Sequence, residues 1–294
     1  MRVLANGVHL FFDVEGAQLV PDGSHMRQRP VVIALHGGPG ADHSTLKPAL
    51  SPLADVAQII YLDHRGHGRS DDGPQERWTL DQLADDVVAF CDALDIDHPI
   101  VYGQSLGAMI ALIYAVRHPG HARALLLVAA SAVGYALSVE RVTEAFRRVG
   151  GDRAAEVYRR DAELSTAESH EEWMAECLPY LSSQPSVREA MAEWRARIVP
   201  RPFAVHLALN TEMKTMDLRP TLSSIRCPTL LLVGDRDPET PPEDSEEIAE
   251  LISKSRVVRI PDAGHTLFRD QPAAALREAR RFIEVLESPT APVE

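Results

Sequence analysis

Residues 2 to 14 alternate apolar and polar side chains around Asn6-Gly7. That is the period of a strand with one buried face, and the Asn-Gly pair supplies the positive φ angles of a two-residue hairpin turn. An antiparallel hairpin therefore opens the chain. Residues 16–30 are polar, contain Pro21-Asp22-Gly23, and read as a loop. From Val31 the texture changes to short continuous apolar runs at 31–35, 58–62, 99–102, 124–129, 228–233 and 256–260, the pattern of parallel strands buried on both faces. Thr79-Leu80-Asp81-Gln82 reads as a capping box, and Leu80, Leu83, Val87, Phe90 and Leu94 then recur at helical spacing. Strands alternating with such helices predict an α/β fold, a doubly wound and mostly parallel sheet with right-handed crossovers.

One interval breaks the alternation. Between Ala130 and Cys227 lies far more chain than a crossover needs, with helix-favouring segments near 138–149, 153–164, 168–178 and 186–199. Pro179, Pro185, Pro200 and Pro202 punctuate it, so several short helices are expected. The reading is a core of residues 1–132 and 217–294 with a helical cap at 133–216, and a frayed tail at 288–294.

Composition narrows the function. The chain has 294 residues, 45% hydrophobic and 25% charged, enough for a sizeable core, and a net charge of −13 that repels phosphate backbones and anionic membranes. Nucleic acid and membrane are thus disfavoured as partners, and a small molecule is expected. The longest apolar stretch, 124–137, is interrupted by Ser131 and falls short of the roughly 20 residues of a spanning helix. The first residues reach a turn too early for a secretory signal, which points to the cytoplasm. Cys91, Cys177 and Cys227 are odd in number, far apart and without a CxxC, against a disulfide framework or a zinc site.

Chemistry concentrates at three places. Gly103-Gln104-Ser105-Leu106-Gly107 is a G-x-S-x-G between a strand and a helical run. Such a tight turn lifts the serine hydroxyl above the sheet, and the N–H groups behind it sit at a helix N-terminus. A serine needs a base oriented by a third group. After the next-to-last strand come Asp235 and Asp237, and after the last comes Gly264-His265. The order Ser, Asp, His converges where ligands bind in open α/β sheets. Third, His36-Gly37-Gly38-Pro39-Gly40 follows the first parallel strand, and acyl transfer needs a second N–H aimed at the oxyanion besides that of Leu106; Gly38, or failing that Gly37, is the candidate. His36, Asp63, His64 and His67 match no standard metal spacing, so no metal is expected.

On these motifs the chain resembles the α/β-hydrolase fold family over nearly its whole length. His36-Gly37-Gly38-Pro39-Gly40 is similar to the oxyanion loop of the proline iminopeptidase branch, and Asp63-His64-Arg65-Gly66-His67-Gly68-Arg69-Ser70 to the D-x-R-G-x-G-x-S loop of the wider family. The resemblance implies Asp237, not Asp235, as the acid, His265 as the base and the insertion as the family's cap. Iminopeptidases usually carry tryptophan after the serine; Leu106 here is more similar to general esterases and lactonases.

The expectation is a serine hydrolase that works without a cofactor: Ser105 attacks, His265 is the base, Asp237 orients it, and Gly38 and Leu106 bind the oxyanion. The favoured substrate is a small carboxylic ester or lactone, followed by an aminopeptidase substrate; a non-catalytic receptor on the same fold is the third reading. Trp173 and Trp194 are expected in a pocket roof or packed between cap helices, and Glu212 is the first candidate to anchor a substrate amine.

Overall fold

A computed structural model describes residues 1–287; the expected frayed tail, 288–294, lies outside the described residues. The opening hairpin pairs β1 (Arg2–Ala5) with β2 (Val8–Glu15) across Asn6-Gly7, both at positive φ. The polar segment expected to be a loop instead forms a second hairpin, β3 (Leu19–Asp22) with β4 (His25–Gln28), turning at Gly23. Its side chains are almost all exposed, so no burial pattern marks it in the sequence. The alternating region runs β5 (Val31–Leu35), β6 (Gln58–Leu62), α1 (Leu80–Ala93), β7 (Ile100–Gln104), α2 (Leu106–Arg117) and β8 (Ala124–Val128). The insertion contributes α3 (Tyr135–Leu164), α4 (Ala167–Glu176), α5 (Pro185–Arg195) and α6 (Phe203–Lys214), and the short α7 (Arg219–Leu222) follows it. The chain closes with β9 (Thr229–Gly234), α8 (Pro242–Leu251), β10 (Ser255–Ile260), α9 (Leu267–Asp270) and α10 (Pro272–Glu287).

Eight strands form one sheet in the order β1-β2-β6-β5-β7-β8-β9-β10, antiparallel at β1-β2 and β2-β6 and parallel thereafter. Alternation along β5 shows why both faces must be apolar. Ile33 and Leu35 pack with Leu83, Val87 and Phe90 of α1, while Val32 and Ala34 pack with Leu50 and with Ile283 of α10. Each such buried side chain contributes roughly 1.5–3 kcal/mol. The sixth expected strand departs from the rest: β10 is an edge strand, and only Ile260 of it is buried.

Of the inserted helices, α3 and α5 share a core of Val142, Phe146, Val157, Tyr158 and Met191, whereas α6 buries Val205, Leu209 and Met213 in the core on the α1 side of the sheet. Gly151, at φ 75°, breaks α3 between the two segments expected there. Thr166 and Ser169 cap α4 reciprocally. Helix α6 lies beyond the helix-favouring segments expected from the sequence; Pro202 precedes its first turn, where a missing N–H removes no helical bond. At the neck the two crossings between core and cap pair through Val133 and Asp217, with Leu218 N–H donating to Ala132 C=O at 2.9 Å and Gly134 N–H to Met216 C=O at 2.8 Å.

Candidate active site

Ser105 stands between β7 and α2 at φ 53° and ψ −119°, a strained backbone for a residue with a side chain. The turn closes because both flanking glycines are in contact. A Cβ on Gly103 would lie 2.3 Å from Gly107 C=O, and one on Gly107 would lie 2.2 Å from Leu35 C=O. Ala108 N–H bonds the Ser105 C=O at 2.8 Å, while the N–H groups of Leu106 and Gly107 ahead of it have no intrahelical acceptor and carry the positive end of the helix dipole.

Asp237 follows β9 and His265 follows β10, and both are buried. His265 Nδ1 lies 2.9 Å from Asp237 Oδ2 and 3.1 Å from Oδ1. The carboxylate also accepts Glu239 N–H at 2.9 Å, Thr240 N–H at 3.0 Å and Thr240 Oγ1–H at 2.9 Å, all of which hold it in place. Burial pulls the imidazole pKa down, yet the Asp237 charge and hydrogen bond outweigh it and the net displacement is upward. With Nδ1–H committed to Asp237, the neutral ring keeps a lone pair at Nε2. Asp235 is exposed.

In the His36-to-Gly40 loop the His36 ring is buried, with Nδ1 2.7 Å from Gly37 C=O and Nε2 accepting His64 N–H at 3.3 Å. Nδ1–H therefore donates to the Gly37 carbonyl. In a trans peptide the Gly38 N–H points opposite to that carbonyl, away from His36. His36, His64 and His67 pack ring against ring, and burial lowers the pKa of all three, that of His67 to about 3. They are neutral packing groups. Asp63 turns instead to His43, accepting its N–H at 2.8 Å with Nδ1 at 2.7 Å, and to Arg69 N–H at 2.8 Å. Asp42, His43 and Asp63 come together, a grouping the sequence reading did not contain, and Asp42 Oδ2 accepts the cap's Val199 N–H at 2.8 Å. Arg65 binds Asp86 of α1 through two hydrogen bonds of 2.8 and 2.7 Å, so that loop anchors α1 to the sheet.

Gly37, Gly38, Ser105 and His265 line one cavity of about 400 Å³ beneath the cap. Trp173 and Trp194 line it too, Trp173 stacked on His170 and Trp194 under the Arg269 guanidinium. Glu212 does not. Its carboxylate turns away from the cavity and accepts Leu80 N–H at 2.8 Å, at the N-terminus of α1, where burial raises its pKa. The amine anchor expected at Glu212 is therefore corrected: it caps a core helix.

A different acid faces the cavity. Glu239, two residues beyond Asp237, has a buried Oε2 with no hydrogen-bond partner, and burial pushes its pKa to about 7. Asp72, Asp244 and Glu287 also have a buried oxygen without a hydrogen bond, but each faces an arginine. Glu239 faces none. Beside it on the cavity wall are Tyr158, whose buried hydroxyl has no partner, and Asp161, which accepts Ser169 Oγ–H at 2.7 Å. Sequence reasoning does not single out Glu239, because it belongs to no motif or periodic stripe. It also passed over Asp270, a buried acid that accepts Gly264 N–H at 2.7 Å and the cap's Ser183 N–H at 3.1 Å and binds Ser182 Oγ–H. One carboxylate thus fastens the residue before His265 to the cap.

A mostly parallel sheet with a cavity at the carboxyl ends of its strands, roofed by inserted helices, is an α/β enzyme scaffold. The chain belongs to the α/β hydrolase fold family, whose model matches residues 30–272. It is 26% identical over 282 residues to the proline iminopeptidase PfmaB of Pestalotiopsis fici, covering 93% of this chain and 99% of that protein. It is 25% identical over 251 residues to 3-oxoadipate enol-lactonase 1 of Acinetobacter baylyi, covering 84% and 86%. Among solved structures, a thermophilic esterase from Thermogutta terrifontis with malate bound superposes with a TM-score of 0.74 at 26% identity, covering 98% and 99%. Among the described residues no helix is long and apolar enough to cross a membrane.

Proposed function

We propose that this protein is a serine hydrolase that cleaves a small carboxylic ester or lactone through an acyl-enzyme. The observation that carries the reading is the buried His265, paired with Asp237, on the wall of the same cavity as the strained Ser105. His265 Nε2 takes the Ser105 Oγ proton as Oγ attacks the carbonyl carbon, and Asp237 stabilises the imidazolium. The oxyanion is held by Leu106 N–H and by Gly38 N–H, which His36 aims by fixing the Gly37 carbonyl. The leaving alcohol takes its proton from His265, and water then releases the acid by the same route. The cap, residues 133–216, sets the acyl and leaving groups, with Trp173 and Trp194 as apolar walls. In the test, Ser105→Ala folds normally yet loses aryl-ester turnover, and a phosphonate labels Ser105 in the parent. Turnover surviving in folded Ser105→Ala would refute the assignment.

One observation favours a second reading, an N-terminal aminopeptidase. The unpaired carboxyl of Glu239 beside Asp161 and Tyr158 is complementary to a substrate amine. Prolyl esters compared with acyl-matched esters lacking the amine decide between the two: a kcat/KM advantage for the prolyl series that Glu239→Gln erases establishes the amine site, and its absence leaves the simple ester or lactone.

A further inference from the structure

Arg195 ends α5 and lines the same cavity as Ser105 and His265. It is half-buried, its surroundings lower its pKa by desolvation, and among the described residues its guanidinium has neither a hydrogen-bond acceptor nor an ion-pair partner. Arg197, two residues on, is exposed and is not among the residues lining the cavity; the other arginines near it are committed. Arg201 is held by Asp72, with Gly66 C=O at 3.2 Å and Ser70 C=O at 3.4 Å, and Arg269 lies over the Trp194 ring and donates to Thr45 C=O at 2.6 Å. A place at a helix C-terminus explains why the residue is cationic. It does not explain why an arginine of the cavity wall has no carboxylate of this chain on its donors, at a net charge of −13.

We propose that Arg195 is an anion subsite: the substrate carries a carboxylate, apart from its scissile carbonyl, that the guanidinium binds. A half-desolvated guanidinium gains more from a carboxylate than a solvated one does, and its fork geometry suits that anion. The proposal rests on the acyl-transfer reading and adds the substrate's charge to it.

The test compares isosteric pairs by pH-stat. Monoethyl adipate and monoethyl glutarate, set against ethyl hexanoate and ethyl valerate, place the carboxylate on the acyl side. The butyryl ester of 3-hydroxypropionate against propyl butyrate places it on the alcohol side. In one of the two series the anionic member is preferred in kcat/KM by tenfold or more; the preference falls to about unity in Arg195→Gln, reverses in Arg195→Glu, and returns in part in Arg195→Lys. Calorimetric titration of Ser105→Ala with glutarate and adipate gives a readout free of turnover, with Kd raised at least tenfold when Arg195→Gln is added. Equal rates for charged and neutral esters in both series, or a preference that survives Arg195→Gln, overturns the anion subsite while leaving acyl transfer intact. Loss of all ester turnover and of phosphonate labelling strikes the acyl-transfer reading instead, and the titration then judges the subsite alone.

Discussion

Replacing Glu239 by glutamine keeps the shape of the side chain and removes an ionisable group held in an unfavourable place. Its pKa in the folded chain, about 7, lies above the ordinary 4.5, mainly because burial penalises the charged form; attraction to His265 opposes the rise, and repulsion from Asp237 and Asp161 adds to it. Below pH 4.5 both folded and unfolded chains carry the proton, and the group is neutral in its effect. Between 4.5 and 7 the unfolded chain releases the proton while the folded chain retains it, so stability falls as pH rises, and above 7 the penalty is constant. At about 1.4 kcal/mol per tenfold, the full penalty is on the order of 3 kcal/mol. Glu239→Gln should therefore be nearly as stable as the parent at pH 4.5 and more stable by up to that amount at pH 8. Urea denaturation of both proteins across this range measures it, and the difference between them cancels shared titrations such as that of Asp244, itself pushed up to about 6. A pH-independent difference, or a variant less stable at pH 8 than the parent, means that Glu239 has a partner and refutes the reasoning.

Asp237→Asn should lower kcat by on the order of 10⁴, as loss of the orienting acid does in serine proteases, and Asp235→Asn should lie near the parent. Since His265 must be neutral to accept a proton and its pKa is raised, the acid limb of kcat/KM should fall above the ordinary imidazole value of 6.5, and a limb below it contradicts the Asp237 pairing. Asp270→Ala strips the acceptor from Gly264 and Ser183 N–H and should cost about 3 kcal/mol in denaturant stability; a change under about 0.5 kcal/mol shows that the cap is fastened elsewhere.

The parallel strands were legible because a strand buried on both faces must be apolar throughout, as 31–35 and 124–128 are. The catalytic candidates were legible for a related reason: a strained serine turn needs Gly103 and Gly107 at fixed offsets, and the ends of successive strands bring Asp237 and His265 together without any knowledge of loop paths. The hairpin of β3 and β4 was hidden because it buries nothing. The cap was legible only as helices. Whether Glu212 faces the cavity depends on how α6 docks, and α6 turns Glu212 toward the start of α1, 132 residues away in sequence. Periodicity carries no information about contacts of that range.

The groups left unsatisfied form a pattern of their own. Asp42, Asp63, Asp86, Asp237 and Asp270 are buried acids whose oxygens accept several N–H or O–H donors, so truncating them exposes those donors to an apolar setting and destabilises the chain. Glu239 and Arg195 are the reverse case, charged side chains on the cavity wall: Glu239 keeps a buried oxygen without a hydrogen bond, and Arg195 has no acceptor or ion-pair partner among the described residues. Removing such a charge relieves a desolvation penalty, so Arg195→Gln, like Glu239→Gln at pH 8, should unfold at the same or higher urea concentration than the parent while losing discrimination among substrates. Stability lost in parallel with discrimination would mean that Arg195 is part of the cap's scaffold. A fold that keeps two uncompensated charges against its own stability holds them for something that enters the cavity, and their signs describe it: a hydrogen-bond donor toward the core loop after β9, and an anion toward the end of α5.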